Sequence, residues 1–418
     1  MLLGHAPAAK ARVPLFFVVF IPLATLLPAE INVIAGQARV TPARILIWSS
    51  VIPLIVAFAM QIGAARNRIV ASDVVLILFM LWGLVALTVS EGVDRAVVVM
   101  GSVGAELVVG YLAARVFPRE PGSEGEVTRV LVLCTLVMVP FALADSLSSS
   151  YLTRNIIAEA VGSPTWPTRP DEFRLGIHRA MTLSDHPIHF GTLCTVALTL
   201  TFVQRMKFRL AIMGALAVGL FLSLSSAPWL GAILSAGVLT FALAFPRLPG
   251  RWMTIIGLTL LLVVAFIIVH PNPWGYLVST LTIDPSTGYY RLMLWSFAGE
   301  LVLQNPVFGV GSSVEWQRPD WLVSTTVDGH FLRMAMVYGI PGSILWVLLM
   351  VSSATTTVDT DQPIGLDAAD RRLGLGLSVC IFAFIYIGAT VTYWNQLWIV
   401  TAIIAGLRAN LGARARMG

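Results

Sequence analysis

The sequence predicts an all-α polytopic membrane protein with about 12 transmembrane helices and two long loops on the non-cytoplasmic side. Of its 418 residues, 57% are apolar and only 12% are charged, which leaves too few polar side chains to cover a water-soluble protein of this size. Apolar segments of about 20 residues, the length needed to cross a bilayer, recur along the whole chain. We therefore expect a single integral membrane domain over residues 1–418.

The hydrophobic segments define the individual spans. The first follows Lys10 and Arg12, as a signal peptide would, but no small-residue cleavage site precedes the next span, so we interpret it as a mature helix. The twelve spans are expected at residues 13–36, 43–63, 71–90, 94–116, 127–146, 187–204, 208–224, 228–246, 252–270, 336–356, 373–392 and 395–408.

The basic residues predict the orientation. Short connections rich in Lys and Arg remain in the cytoplasm, and one phase of the alternation holds 17 of the 27 basic residues. Both termini are therefore expected in the cytoplasm. This bias accounts for the net charge of +5, and no run of basic residues indicates a nucleic-acid partner. The three cysteines lie inside spans without metal-ligand spacing, so neither a disulfide framework nor a metal site is predicted.

Two connections are much longer than the others, residues 147–186 and residues 271–335, and both fall on the outer side. Loops of this length are commonly functional, and their aromatic and aliphatic residues argue against disorder. In the second loop, Asp284-Pro-Ser-Thr-Gly288 predicts a turn and cap before a short helix from Tyr289 to Gln304, which Asn305-Pro306 ends.

The residues suited to chemistry also concentrate in these two loops. Five of the six histidines lie in or near them, together with several arginines, among them Arg169, Arg174, Arg179, Arg291 and Arg333. A single arginine at a membrane boundary commonly contacts lipid headgroups through snorkelling. Several arginines in two loops that converge instead favour a phosphate site, because the planar guanidinium binds phosphate oxygens in a bidentate manner and stays charged.

The segment from Phe173 to Gly191 is the most unusual in the chain. It places Arg174, His178, Arg179, Asp185, His186 and His189 immediately before the sixth span. A metal site built from the last three is an alternative, but the intervening Pro187 favours a tight start of a helix. Further along, Gly309-Val-Gly311 indicates either a plain turn or backbone N–H groups that bind phosphate.

These motifs resemble, in their order, the O-antigen ligase and polymerase superfamily. The resemblance rests on the Arg-rich segment ending in His186-Pro and Phe190-Gly, then Arg291-x-x-x-Trp295 with Asn305-Pro-x-x-Gly-x-Gly311, then Asp328-Gly-His330 with Tyr338-Gly-Ile-Pro-Gly342. It covers about residues 170–345.

The resemblance implies a metal-independent membrane glycosyltransferase of the bacterial inner membrane, without a cofactor and with both long loops in the periplasm. Its donor would be a glycan linked to undecaprenyl pyrophosphate, and its acceptor a glycan or lipid A-core. Arg174, Arg179 and Arg291 would bind the pyrophosphate. The catalytic group near the acceptor hydroxyl would come from Asp328 or His330, with Arg291 assisting.

Two positions depart from the family pattern. Many ligases carry His-Asn where this chain has Asp328 and Gly329, with His330 following, so either Asp328 or His330 is the candidate base. The segment from Ser223 to Leu230 has Ala227 where an arginine is common, which weakens the case for a further phosphate contact there. The resemblance leaves open whether the chain polymerises repeat units, as in O-antigen or exopolysaccharide synthesis, ligates a finished glycan, or binds such glycans without activity.

A transporter or flippase for a lipid-linked or small solute is the alternative from another class. It rests on Glu106, an acid near the middle of the fourth span, because an ionisable residue at membrane depth is commonly functional. No paired broken helices in matching halves support it, and the glycines around Glu106 are also typical of close helix packing.

Overall fold

The computed structural model describes residues 12–35, 38–246, 248, 251–313, 327–356 and 366–416. In these residues the chain is almost entirely helical, with two short antiparallel hairpins, so the predicted all-α class is confirmed. The elements in chain order are α1 (Leu15–Thr25), β1 (Val33–Ala35), β2 (Ala38–Val40), α2 (Pro42–Gly63), α3 (Ala71–Glu91), α4 (Val93–Val99), a π-helix (Met100–Gly104), α5 (Ala105–Val116), α6 (Ser123–Leu147), α7 (Leu152–Ala160), a 3-10 turn (Pro170–Glu172), β3 (Phe173–Arg174), β4 (Ile177–His178), α8 (Pro187–Val203), α9 (Arg209–Leu222), α10 (Ser226–Ala244), α11 (Arg251–Val269), α12 (Pro273–Leu281), α13 (Pro285–Gln304), α14 (His330–Thr355), α15 (Ala368–Gly388) and α16 (Gln396–Ala415).

The described helices include eight segments long and apolar enough to cross a membrane, with α4, the π-helix and α5 forming one of them. Four shorter apolar helices fall at the other predicted span positions: Leu15–Thr25, Pro187–Val203, Arg209–Leu222 and Gly257–Val269. The chain is therefore a multi-pass membrane protein, as expected, whereas the full count of twelve spans stays a prediction.

The first helix is shorter than the span predicted over 13–36. It ends at Thr25, three residues before Pro28, which has no N–H group with which to continue a helix. The chain then forms the β1–β2 hairpin, in which Val33 pairs with Val40.

The centre of the bundle is α16, in which every residue from Gln396 to Ala413 is buried. Its most extensive contact is with α5. There Gly406 lies against the backbone of Tyr111 and Gly110 lies against Ala402, so that a β-carbon at either glycine would collide with the opposite helix. These two glycines therefore set the close approach of α5 and α16.

A buried ion-pair network ties five helices together at one end of the bundle. Arg115 of α5 binds Asp73 of α3 at 3.0 Å, and Arg414 of α16 binds Glu124 of α6 at 2.8 Å and Asp370 of α15 at 2.9 Å. Because α6 begins near Glu124 and ends at the first long loop, this network lies at the opposite end from that loop. The close distances are those of charge-assisted hydrogen bonds.

Helix α14 starts at His330, six residues before the predicted span, and is broken at Gly339. Gly339 has φ +73°, a conformation that suits glycine. The loop after α13 supplies partners for backbone groups at the break: Val310 N donates to Met336 O at 2.7 Å, and Ile340 N donates to Pro306 O at 2.8 Å. This loop therefore holds the end of α14 that carries the candidate site.

The two long connections contain secondary structure of their own. The first contains α7, the 3-10 turn and the β3–β4 hairpin, and the second contains α12 and α13. Helix α13 ends at the predicted Gln304 but begins four residues before Tyr289, because the Asp284 side chain accepts from Ser286 N at 3.0 Å and Pro285 suits the first helical position. Residues 314–326 of the second connection, and Lys10 and Arg247 among the basic residues counted above, lie outside the described part of the chain.

Candidate functional site

Three arginines from the two long connections converge at one site. Arg174 lies on β3, Arg179 follows β4, and Arg291 lies in α13. Burial and the positive charges of Arg174 and Arg291 lower the pKa of Arg179 to about 10. Burial and the charge of Arg291 also lower the pKa of Arg174. Arg174 Nη2 also donates to Thr287 Oγ1 at 3.4 Å, about one turn before Arg291 in α13, so the hairpin and α13 meet at this site.

The β3–β4 hairpin fixes two of these arginines. Its register pairs Phe173 with His178 and Arg174 with Ile177. The two turn residues, Leu175 and Gly176, both have positive φ, +55° and +75°, as in the tight turns that match the twist of antiparallel strands. Arg174 and Arg179 are thus presented at the start and just past the end of one small rigid unit.

The connection between α9 and α10 orients both of these side chains. Leu224 O accepts from Arg174 Nη1 at 2.9 Å. Ser225 Oγ accepts from Arg179 Nη2 at 3.0 Å, and Ser223 O accepts from Arg179 Nε at 3.4 Å. The segment that lacks the family's arginine at Ala227 therefore acts here by holding two other arginines. The sequence analysis did not identify Ser225 as a partner of Arg179. The three serines in residues 223–226 were the signal that could have indicated it.

Each arginine of the site faces one carboxylate at a long distance. The pairs are Arg174 with Asp284 at 4.0 Å, Arg179 with Glu172 at 3.7 Å and Arg291 with Asp328 at 3.5 Å. The ion pairs of the buried network described above are shorter by 0.5 Å or more. In addition, Nε of Arg174 and Nε of Arg291 are buried without a hydrogen-bond partner in the described residues. These guanidinium groups therefore retain donors for an anionic ligand.

Asp328 lies immediately before α14 and beside Arg291. Its side chain is 41% exposed, so solvent and substrate can reach it. Partial desolvation raises the pKa of the Asp328 carboxyl, and the charges of Arg291 and Arg179 oppose that rise. The following Gly329 has φ +111° and packs against Trp295 and the Ala389 carbonyl, where a β-carbon would be crowded. The backbone at Gly329 therefore directs Asp328 toward the arginines.

His330, the other candidate base, lies in a different environment. Its ring is fully buried and packs against Trp346 at 4.4 Å, Tyr393 at 4.8 Å and Trp398 at 5.3 Å between ring centroids. Its Nδ1 accepts from Tyr393 N at 3.3 Å. The structure therefore brings Asp328, and not His330, to the three arginines.

The three residues of the alternative metal site have separate partners. Asp185 lies 3.4 Å from Arg154 and accepts from Asn395 at 2.8 Å. His189 Nε2 lies 3.0 Å from Thr392 O. His186 caps α8, as the following Pro187 predicted, with its Nδ1 accepting from Ile188 N at 3.1 Å. Asp185 and His189 therefore hold loop segments together, and His186 caps a helix.

The glycine loop 309–311 forms a turn whose neighbouring N–H groups are already bound. Gly309 and Gly311 have positive φ, +72° and +90°. The next two N–H groups, of Ser312 and Ser313, donate to the Glu91 carboxylate at 2.9 and 2.8 Å. The loop therefore joins α13 to α3 and supports α14 in this structure.

Glu106, on which the transporter alternative rests, is paired. Its carboxylate lies 2.9 Å from Nε of Arg44 at the start of α2. The preceding π-helix carries carbonyl groups that two indoles satisfy: Trp48 Nε1 donates to Gly101 O and Trp398 Nε1 donates to Val103 O, both at 2.8 Å. The positive charge of Arg44 therefore balances the negative charge of the Glu106 carboxylate at this position.

Comparison with known proteins gives one match. Residues 211–347 match the family model described as O-Antigen ligase. That segment runs from α9 to α14 and contains the α9–α10 connection, Arg291 and Asp328, whereas Arg174 and Arg179 precede it. No curated protein matches the chain. The family match confirms the resemblance that the sequence motifs carried, because residues 211–347 of this membrane protein are similar to the O-Antigen ligase family.

Proposed function

We propose that the protein is a membrane glycosyltransferase of the O-antigen ligase and polymerase type, which transfers or polymerises a glycan carried on undecaprenyl pyrophosphate. The observation that carries this proposal is the convergence of Arg174, Arg179 and Arg291 beside Asp328. The reaction serves surface or exopolysaccharide synthesis, with a growing glycan or lipid A-core as the acceptor.

The arginines suit a pyrophosphate leaving group. Negative charge develops on the phosphate oxygen as the sugar departs, and fixed cations in a partly dry site stabilise that charge without reorganisation. Guanidinium groups bind phosphate oxygens in a bidentate geometry. The long distances to Asp284, Glu172 and Asp328 leave room for phosphate oxygens to replace the carboxylates as closer partners.

Asp328 suits the acceptor side of the reaction. The acceptor hydroxyl oxygen attacks the anomeric carbon, the bond from that carbon to the phosphate oxygen breaks, and the bonding pair leaves with undecaprenyl pyrophosphate. The hydroxyl proton passes to the Asp328 carboxylate. A positioned base of this kind contributes about 10²–10⁴-fold to the rate. The scheme uses no metal ion and no cofactor.

The proposed location is the periplasmic face of a bacterial inner membrane, with both termini in the cytoplasm. The distribution of Lys and Arg supports this orientation, and the four shorter apolar helices fall at the remaining predicted span positions beside the eight long ones. A site at the outer boundary lets the polyprenyl chain of the donor stay in hydrocarbon while its pyrophosphate meets the arginines.

The experiment that tests the function is the glycan phenotype of a host in which the gene is deleted. Lipopolysaccharide ladders and secreted polysaccharide are compared after supplying back the wild-type protein, Arg291→Ala or the control Arg169→Ala. Arg169 lies in the same outer region and is exposed, so its loss should leave glycan assembly unchanged. Arg291→Ala should fail to restore it while inserting normally.

The phenotype also separates the possible reactions. Single repeats on the core without long chains identify a polymerase, and bare core beside accumulated lipid-linked polymer identifies a ligase. Loss of secreted polymer alone identifies an exopolysaccharide role. An unchanged glycan profile in the deletion strain would overturn the proposal.

A further inference from the structure

His186 has a fixed hydrogen-bonding arrangement at the start of α8. The Ile188 N–H donates to its Nδ1 at 3.1 Å. A neutral imidazole has one nitrogen that accepts and one that donates. Because Nδ1 accepts, the proton of the neutral ring is on Nε2, which is then a hydrogen-bond donor.

The surroundings of His186 keep the ring neutral. Burial lowers its pKa well below the usual 6.5, and the charges of Arg179, His189, Arg291 and Arg174 lower it further. Geometry also places the start of α8 beside the segment that holds the arginines: a β-carbon at Gly191, five residues after His186, would lie 2.6 Å from Ser223 Oγ, and Ser223 O accepts from Arg179 Nε at 3.4 Å. The His186 side chain nevertheless keeps partial exposure, so a ligand held by the arginines can reach it.

The neighbouring histidines have other surroundings. His189 is fully buried, with its Nε2 at the Thr392 carbonyl. His178 is fully buried between Tyr151 and Phe173, with ring centroids 4.6 and 5.2 Å away. Of these three histidines, His186 is the one that is partly exposed and lies near the arginine site. Its Nε2–H donor is also held in position by the hydrogen bond from the Ile188 backbone.

We propose that the Nε2–H of His186 donates a hydrogen bond to the pyrophosphate of the lipid-linked donor, as a fourth and uncharged phosphate ligand beside Arg174, Arg179 and Arg291. This inference rests on the proposed function. The bond strengthens as negative charge builds on the departing oxygen, and no proton is transferred. The hydrogen bond from Ile188 N holds the His186 ring at the start of α8. The position of α8 therefore sets where the Nε2–H group meets the phosphate, and so where the phosphate lies relative to Asp328.

Two substitutions separate this role from simple helix capping. His186→Ser keeps a side-chain acceptor for the Ile188 N–H but removes the donor, whereas His186→Ala removes both. Purified variants in lipid nanodiscs are compared for melting temperature, for binding of undecaprenyl pyrophosphate and for glycan transfer. Arg291→Ala is measured alongside them.

If His186 is a phosphate ligand, His186→Ser keeps the wild-type melting temperature but binds undecaprenyl pyrophosphate at least about tenfold more weakly and transfers about 100-fold more slowly, as when one fixed donor to a developing anion is removed. If His186 only caps the helix, His186→Ser matches the wild type in all three measurements, and the inference is overturned. If Arg291→Ala also binds and transfers normally, the proposed function itself fails. The two failures are therefore distinguishable.

Discussion

Nε of Arg291 lies 3.5 Å from Oδ2 of Asp328. The cation proposed to bind the pyrophosphate and the carboxylate proposed to receive the acceptor proton are thus partners before substrate arrives. In the proposed reaction, the doubly charged pyrophosphate of the donor competes for the guanidinium, and its binding frees the carboxylate to face the acceptor hydroxyl. The proposal therefore links donor binding to activation of the acceptor through this pair.

Arg291→Ala should lower glycan transfer by about 100-fold or more, because a fixed cation at the developing charge is lost. Arg291→Lys should recover only part of the activity, because the ammonium keeps the charge but not the planar fork. Initial rates in nanodiscs, with Arg169→Ala as the matched control, check this expectation. Full activity of Arg291→Ala would show that Arg291 does not bind the pyrophosphate.

The two candidate bases should respond in opposite ways. Asp328→Asn should lose about 10²–10⁴-fold in rate, because it removes the proton acceptor. The melting temperature should stay close to that of the wild type, because the amide has the same shape and the long, partly exposed ion pair with Arg291 contributes little to stability. His330→Phe should keep activity within a fewfold, because a ring of similar size preserves the contacts with Trp346 and Tyr393. Rates and melting curves of both variants decide between them, and the reverse pattern would make His330 the base.

The transfer rate should fall as the solution becomes acidic. The fall should begin at a higher pH than it would if the base were an aspartate with an ordinary pKa. Only the ionised Asp328 carboxylate accepts a proton, and its pKa is raised above the usual 3.8, chiefly by burial. The rate therefore increases as pH rises through the raised pKa and is constant above it. A pH profile of kcat/KM measures this, and Asp328→Glu should retain an acid limb. The same acid limb in the residual activity of Asp328→Asn would assign it to another group.

Ser225→Ala should weaken donor binding severalfold without unfolding the protein. The hydroxyl accepts from Arg179 Nη2 at 3.0 Å, and a single hydrogen bond of this kind contributes about 1 kcal/mol. Ser225→Thr should restore binding because it restores the oxygen. Titration with undecaprenyl pyrophosphate checks both variants, and equal affinity in Ser225→Ala and the wild type would show that Arg179 needs no such support.

Glu106 should act in stability and not in transport. Glu106→Gln removes the carboxylate charge that lies 2.9 Å from Arg44 Nε, and removing one member of a buried pair costs about 3–5 kcal/mol. The double variant Arg44→Met with Glu106→Leu should recover much of that loss and retain glycan assembly. Melting temperature and the glycan profile of the complemented strain test this. A stable double variant that abolishes glycan assembly would return Glu106 to a functional role.

Local sequence signals predicted several features correctly. Asp284-Pro285 and Asn305-Pro306 bracket α13, because an N-cap side chain and a proline act within a few residues. The first span was predicted too long, since hydrophobicity continues past Thr25 although Pro28 stops the helix. The tenth span was predicted too short: it was placed from residue 336, whereas α14 begins at His330 and continues through a break at Gly339 that the loop 306–310 supports.

The sequence by itself determined the membrane-protein class, the superfamily resemblance and the identity of three arginines in two long connections, because these depend on composition and on motifs within short stretches. Only the tertiary structure decided which side chains meet. Asp328 and His330 are two residues apart, yet the backbone at Gly329 sends one to Arg291 and the other into an aromatic core. The partners of the arginines, Leu224 and Ser225 among them, come from distant parts of the chain, and packing of the helices alone brings them there.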